Sequence, residues 1–238
     1  MTTALIGFAG FVAKYLLTHE KNRKTMEKCK GNGNKELQLS LMKQTYDDLV
    51  GGFSKKFGIE FKINGCENVP EGPVLFVANH SGMVDAAIMA EMPIPVGFVL
   101  KKEFAKIPLF TKWLGQMNAV FMDRENPREA VNCINECVDI INNGFSMAIF
   151  PEGTRTRDAS VGEFKNGAFK IVQKTGVPIV PVAIKGSYKV WEEPGKIIPG
   201  TVTAQIMEPV YTDNLDRKAY KALGVTIREK IVNQLDNM

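Results

Sequence analysis

The chain holds two histidines, His19 and His80, and only the second stands among residues that could use a proton. Asn79-His80-Ser81-Gly82-Met83-Val84-Asp85 follows Val74 to Ala78, an apolar run of the kind that forms a buried strand. On one regular helix, five residues at about 100° each would set His80 and Asp85 roughly 140° apart and out of reach. With His80 in the turn after the strand and Asp85 in the first turn of a following helix, the carboxylate folds back onto the imidazole. Gly82 eases such a turn. An acid bonded to one ring nitrogen fixes the tautomer and leaves the other nitrogen to take a proton from a hydroxyl. That chemistry would let an alcohol attack a thioester. Taken alone, the two residues describe a turn histidine capped by an aspartate at least as well.

Two further polar clusters also follow apolar runs: Phe121-Met122-Asp123-Arg124 and Phe150-Pro151-Glu152-Gly153-Thr154-Arg155. Sites in α/β sheets collect at strand ends of this sort. Arg124 and Arg155 could both project into one mouth, where a planar guanidinium fork suits phosphate because it bonds two oxygens at once. Glu152 could accept from a substrate hydroxyl, and Gly153 would let substrate approach the backbone. Singly, each arginine reads as a surface ion-pair partner; their coincidence at strand ends carries the stronger reading. No G-x-S-x-G occurs, and Ser81 adjoins His80 in sequence, so a serine hydrolase is not supported.

The elements that would position these residues alternate. Gly97 to Leu100, Ala119 to Met122, Met147 to Phe150 and Ile179 to Ile184 read as buried strands, and Val202, Ala204 and Ile206 as a half-buried one. Asn126-Pro127-Arg128-Glu129 opens a helix with a cap, a first-position proline and a glutamate three residues after the cap; Gly144 closes it. Gly167 to Lys174 and Asp216 to Leu235 are the other helices expected. The pattern predicts an α/β layered domain over residues 59–238.

Ahead of it, an N-terminal two-helix element is expected over residues 1–58. Ala4 to Leu17 is apolar apart from Lys14. As a helix it would reach roughly 21 Å, short of the roughly 30 Å hydrocarbon core, so it should dip into one leaflet. Lys21, Arg23, Lys24, Lys28 and Lys30 follow, and juxtamembrane basic residues favour an anionic cytoplasmic leaflet. The expectation is a monotopic anchor at the cytoplasmic face of a membrane; a helix packed on its own domain is the alternative. Gly31 to Asn34 breaks the chain, and Leu39, Met42, Tyr46, Leu49 and Phe53 then recur at helical spacing.

Composition removes several classes. A net charge of +4 and a pI near 8.8 suit an anionic lipid surface or a phosphate-bearing substrate, and no nucleic-acid-binding motif accompanies them. The four cysteines, Cys29, Cys66, Cys133 and Cys137, include no C-x-x-C pair, so no metal site is expected. Cys133 and Cys137, four apart in a helical pattern, read as small core residues of a protein in a reducing compartment.

His80-x-x-x-x-Asp85, Phe121-x-x-Arg124, Phe150-Pro151-Glu152-Gly153-Thr154-Arg155 and Val177-Pro178-Ile179-Val180-Pro181, in that order, resemble the four motifs of the glycerolipid acyltransferases. The likeness is closest to the 1-acylglycerol-3-phosphate acyltransferase branch and covers roughly residues 73–185. It implies a histidine base, His80, oriented by Asp85. It implies binding of the acceptor phosphate by Arg124, with glycerol or phosphate contacts from Glu152, Gly153, Thr154 and Arg155. Lys101 or Lys102 would join the phosphate site, and Pro178 would shape the acyl side. It further implies lysophosphatidic acid as acceptor and acyl-CoA or acyl-carrier protein as the thioester co-substrate; no other cofactor is expected, and the apolar and basic N-terminal residues point to a membrane surface with anionic lipid as partner. Glycerol 3-phosphate or another lysophospholipid is the alternative acceptor, and a non-catalytic lipid-binding module the alternative class. The chain departs from the family at Gly82, where a serine is usual.

Overall fold

The computed structural model describes residues 3–123, 126–213 and 215–238. Three helices come first, α1 (Thr3–Thr18), α2 (Glu20–Asn32) and α3 (Lys35–Phe57). Then follow β1 (Ile59–Asn64), β2 (Leu75–Ala78), α4 (Asp85–Ala90), β3 (Val96–Lys101), α5 (Pro108–Gln116), β4 (Val120–Met122) and α6 (Pro127–Asn142). The chain ends with β5 (Ser146–Ile149), α7 (Lys170–Thr175), β6 (Ile179–Lys185), α8 (Ser187–Val190), β7 (Gly200–Ile206) and α9 (Arg217–Asp236). The strands form one seven-stranded sheet in the order β1-β7-β6-β2-β5-β3-β4.

Every pairing is parallel except β6 with β7. The block β6-β2-β5-β3-β4 therefore runs in one direction, and its carboxyl ends share one edge. Strands buried on both faces are apolar throughout, as β2 is: Val74, Phe76 and Ala78 pack on one side, Leu75 and Val77 on the other. One side is covered by α1 to α5 and α8, the other by α6, α7 and α9. This is the layered α/β arrangement expected.

Two expectations need correction. The first strand expected is Val74 to Ala78, yet Ile59, Phe61 and Ile63 alternate with Glu60, Lys62 and Asn64 and form β1 ahead of it. The basic run after Leu17 is itself a helix rather than a flank, so three helices precede the sheet, not two. It folds because Met26 and Cys29 are buried and Arg23 is satisfied by Glu20 and Glu27 on its own surface. The break at Gly33 and Asn34 is where the residues required it. Gly33 caps α2 in the left-handed region at φ 73°, and the Asn34 side chain accepts from Leu37 N.

Nor does a boundary at residue 58 separate two cores. Val12, Leu16, Met26, Met42, Val50 and Phe53 belong to the same buried cluster as Phe76 and Ala78 of the sheet. The Trp113 indole donates to Leu16 O (3.1 Å), Tyr46 donates its hydroxyl to Val96 O (2.8 Å), and Gln38 donates to Gln116 O (3.3 Å). Among the described residues no helix is long and apolar enough to cross a membrane.

Candidate active site

β2 ends at Ala78, and the Asn79 side chain fastens that end to β6 by exchanging two hydrogen bonds with Ile184, at 2.9 and 2.8 Å. The chain then turns, and α4 begins at Asp85 itself. Asp85 is fully buried, and its Oδ2 accepts from His80 Nδ1 (2.7 Å), Ser81 N (2.8 Å) and Gly82 N (2.8 Å). Three donors on one oxygen lock the turn and the ring together. With Nδ1 committed to the carboxylate, Nε2 is the nitrogen left to act as a base. The Phe150 ring stacks on the imidazole at 4.1 Å and 17°, fixing its plane.

A cavity of about 480 Å³ opens at this edge of the sheet, and His80 lies on its wall. Phe98, Leu100, Met122, Ile134, Ile149 and Ile171 are among its apolar lining. Among the described residues, the lysine and arginine side chains that line it are Lys101, Arg155, Arg157 and Lys165, and no carboxylate does. A cavity lined by a candidate base, apolar side chains and cations can hold a hydrocarbon chain and an anion together.

The other expected site residues divide. Lys101 is on the wall; Lys102 is exposed and its ammonium lies 3.4 Å from Asp123. Gly153 and the exposed Thr154 line the mouth. Gly153 has φ 73°, and a β-carbon there would stand 3.0 Å from Lys165 Nζ, so the glycine makes room for that ammonium. Arg124 lies outside the described residues.

Glu152 is not placed to meet a substrate hydroxyl. It is buried, Oε1 accepts from His80 N (2.7 Å), and Oε2 accepts from Gly162 N (3.0 Å). Burial pushes its carboxyl above the usual range, opposed by those two backbone donors. Its contact is with the backbone of His80. Pro178 is also displaced from its expected place. β6 is parallel to β2 with Leu75 opposite Ile179, and Leu75 N donates to Pro178 O, so Pro178 sits at the sheet edge opposite His80 and not on the cavity wall.

Sequence reading missed Arg157 and Lys165 at the mouth and Glu192, which holds Arg155 at 2.7 Å. The signal for the first two was available: both follow the β5 strand end within a polar stretch. Glu192 had no local signal, because only the fold brings it to residue 155.

A profile of the family described as Acyltransferase matches residues 60–185. The chain is 34% identical over 158 residues to the chloroplastic 1-acyl-sn-glycerol-3-phosphate acyltransferase BAT2 of Brassica napus, covering 65% of this chain and 46% of that protein. It is 38% identical over 145 residues to the probable 1-acyl-sn-glycerol-3-phosphate acyltransferase of Mycoplasma pneumoniae, covering 58% and 54%. The chain thus spans about half the length of these curated relatives. Its fold matches the crystal structure of the 1-acyl-sn-glycerophosphate acyltransferase PlsC from Thermotoga maritima with a TM-score of 0.80 at 24% identity, over 97% of this chain and 92% of that one.

Proposed function

Since this chain belongs to the acyltransferase family, we propose that it moves a fatty acyl group from a thioester to the free hydroxyl of 1-acylglycerol 3-phosphate, giving phosphatidic acid. The observation that carries the reading is the His80–Asp85 pair, 2.7 Å apart, with His80 on the wall of a cavity lined by both apolar and cationic side chains. His80 Nε2 takes the proton of the acceptor hydroxyl as its oxygen attacks the thioester carbonyl. The tetrahedral intermediate collapses, the C–S bond breaks, and the thiolate leaves with the proton His80 carried. Asp85 holds the ring and its developing charge throughout.

The acyl chain occupies the apolar part of the cavity. Lys101, Arg155, Arg157 and Lys165 face the acceptor phosphate and the anionic groups of acyl-CoA or acyl-carrier protein. Arg124 joins them by its motif position alone. A module that only bound lipid would need no oriented base.

Membrane docking belongs to the same reading. Val12 and Leu16 of α1 face the protein, whereas Leu17 is 65% exposed. We place that outer face in the cytoplasmic leaflet as a monotopic anchor, with the exposed lysines of α2 near anionic headgroups.

The test is acyl transfer by the purified chain with lysophosphatidic acid, glycerol 3-phosphate and lysophosphatidylcholine, each with acyl-CoA and acyl-carrier-protein donors. Turnover favouring lysophosphatidic acid supports the reading. Turnover only with another acceptor moves the substrate, and none with any acceptor overturns it.

A further inference from the structure

Glu192 lies beyond the segment that matches the family profile, in the short stretch between α8 and β7. Its side chain is 7% exposed, yet it reaches both halves of the site with a single oxygen. Oε1 accepts from Arg155 Nη1 at 2.7 Å and from Met83 N at 2.7 Å. Met83 belongs to the turn between His80 and Asp85, and Met83 and Arg155 both line the cavity. We propose that Glu192 is a positioning residue that fixes the Arg155 guanidinium for the acceptor phosphate and ties it to the turn carrying the base.

With Nη1 held by Glu192, the arginine keeps Nε and Nη2 for a phosphate, and the planar fork can present them in one orientation only. The other oxygen of Glu192 supports the assignment. Among the described residues the buried Oε2 finds no hydrogen-bond partner, and it lies 2.8 Å from where a β-carbon on Gly82 would stand. The usual motif serine would collide with it, so the glycine and the glutamate belong together in this chain. Burial also pushes the Glu192 carboxyl above the usual range, against the pull of Met83 N and Arg155. A glutamine would fill the same space without a desolvated charge; the charge is needed only to hold the cation.

The inference rests on the lysophosphatidic acid reading, and its test separates the two. Glu192→Gln and Glu192→Ala are compared with the native full-length chain for acceptor KM and kcat, and for lysophosphatidic acid Kd in mixed micelles without donor. Glu192→Gln keeps an oxygen for Met83 N but offers Arg155 no charge. Its acceptor KM and Kd should rise about 10-fold, the loss expected for one misplaced charge-assisted contact, with kcat within about 3-fold of native. Glu192→Ala also frees the turn, and its kcat should fall a further 10-fold or so. In an Arg155→Ala background, Glu192→Gln should leave KM and Kd unmoved, because its effect passes through that arginine. Unchanged KM and Kd in Glu192→Gln, or the same 10-fold rise without Arg155, would overturn the positioning role. If the native chain turns over no acceptor, the transferase reading falls, and the Kd comparison alone decides the role of Glu192.

Discussion

At the scale of residues, one histidine is surrounded by groups whose work is to keep it still. Asp85 holds Nδ1, Phe150 covers the ring, and Glu152 holds the His80 amide at 2.7 Å. On the proposed mechanism Glu152 therefore acts on the base rather than on substrate, and the two roles separate kinetically. Glu152→Gln puts an NH₂ against one backbone N–H, losing a charge-assisted bond of about 1.5–3 kcal/mol. We expect kcat to fall roughly 10–150-fold with acceptor KM within about 3-fold of native. A rise in KM at unchanged kcat would put the carboxylate back on the substrate. Gly82 offers a second test. A β-carbon there meets Glu192 Oε2 at 2.8 Å and the Ser187 carbonyl carbon at 2.9 Å, the latter being backbone that cannot swing aside. Gly82→Ser, the change to the residue usual in the family, should cost about 1–3 kcal/mol through overpacking, a fall of several degrees in Tm by calorimetry. An unshifted Tm would show that the loop has room to spare. His80, Asp85 and the Phe150–Arg155 hexad were legible in sequence because each lies within a few residues of a strand end. What the sequence hid was direction: nothing local in Glu152 says that its carboxylate turns toward a backbone amide 72 residues away.

At the scale of elements, parallel strands explain why motifs far apart in the chain meet. β2, β5, β3 and β4 all deliver their carboxyl ends to one edge, so His80, Pro151 and Lys101 line one cavity. The same rule sends Pro178, at the start of β6, to the far edge. Apolar patterning found α3, α6, α7 and α9 and six of the seven strands, but it passed over α2, whose buried residues are too few to show as a stripe. That helix is part of the core. Removing residues 1–33 would uncover the site of Met26, Val12 and Leu16, worth roughly 5–9 kcal/mol at 1.5–3 kcal/mol per side chain, and leave the Trp113 indole without its acceptor. That loss rivals the whole stability of an ordinary domain. The truncated chain should aggregate or melt far below the native one, and an unchanged Tm would show the N-terminal helices to be an appendage. Membrane docking is tested more gently at Leu17, which is 65% exposed. Leu17→Glu should leave Tm unchanged and reduce sedimentation with phosphatidylglycerol vesicles at least about 10-fold; equal sedimentation would rule out that face of α1 as the anchor.

At the scale of the whole molecule, the site holds two buried carboxylates whose ionisation the fold opposes. Glu152 and Glu192 both have a carboxyl pKa raised by burial. A group raised in this way stabilises the fold below its unfolded pKa of about 4.3, and that contribution is lost as pH rises through the folded value. Relative to Glu192→Gln, the native chain should therefore lose Tm as pH rises above about 4.5. A difference that stays flat or runs the other way would mean the charge is not opposed by burial. Both carboxylates bear on the turn that carries His80, the proposed base. The central claim is that His80 is that base, and the measurement that meets it most directly is the turnover of folded His80→Ala protein with lysophosphatidic acid and acyl-CoA. Positioned base catalysis contributes typically about 10²–10⁴-fold, so kcat should fall by at least about 100-fold while circular dichroism, Tm and acceptor Kd stay native. Near-native turnover by that folded protein would contradict the account.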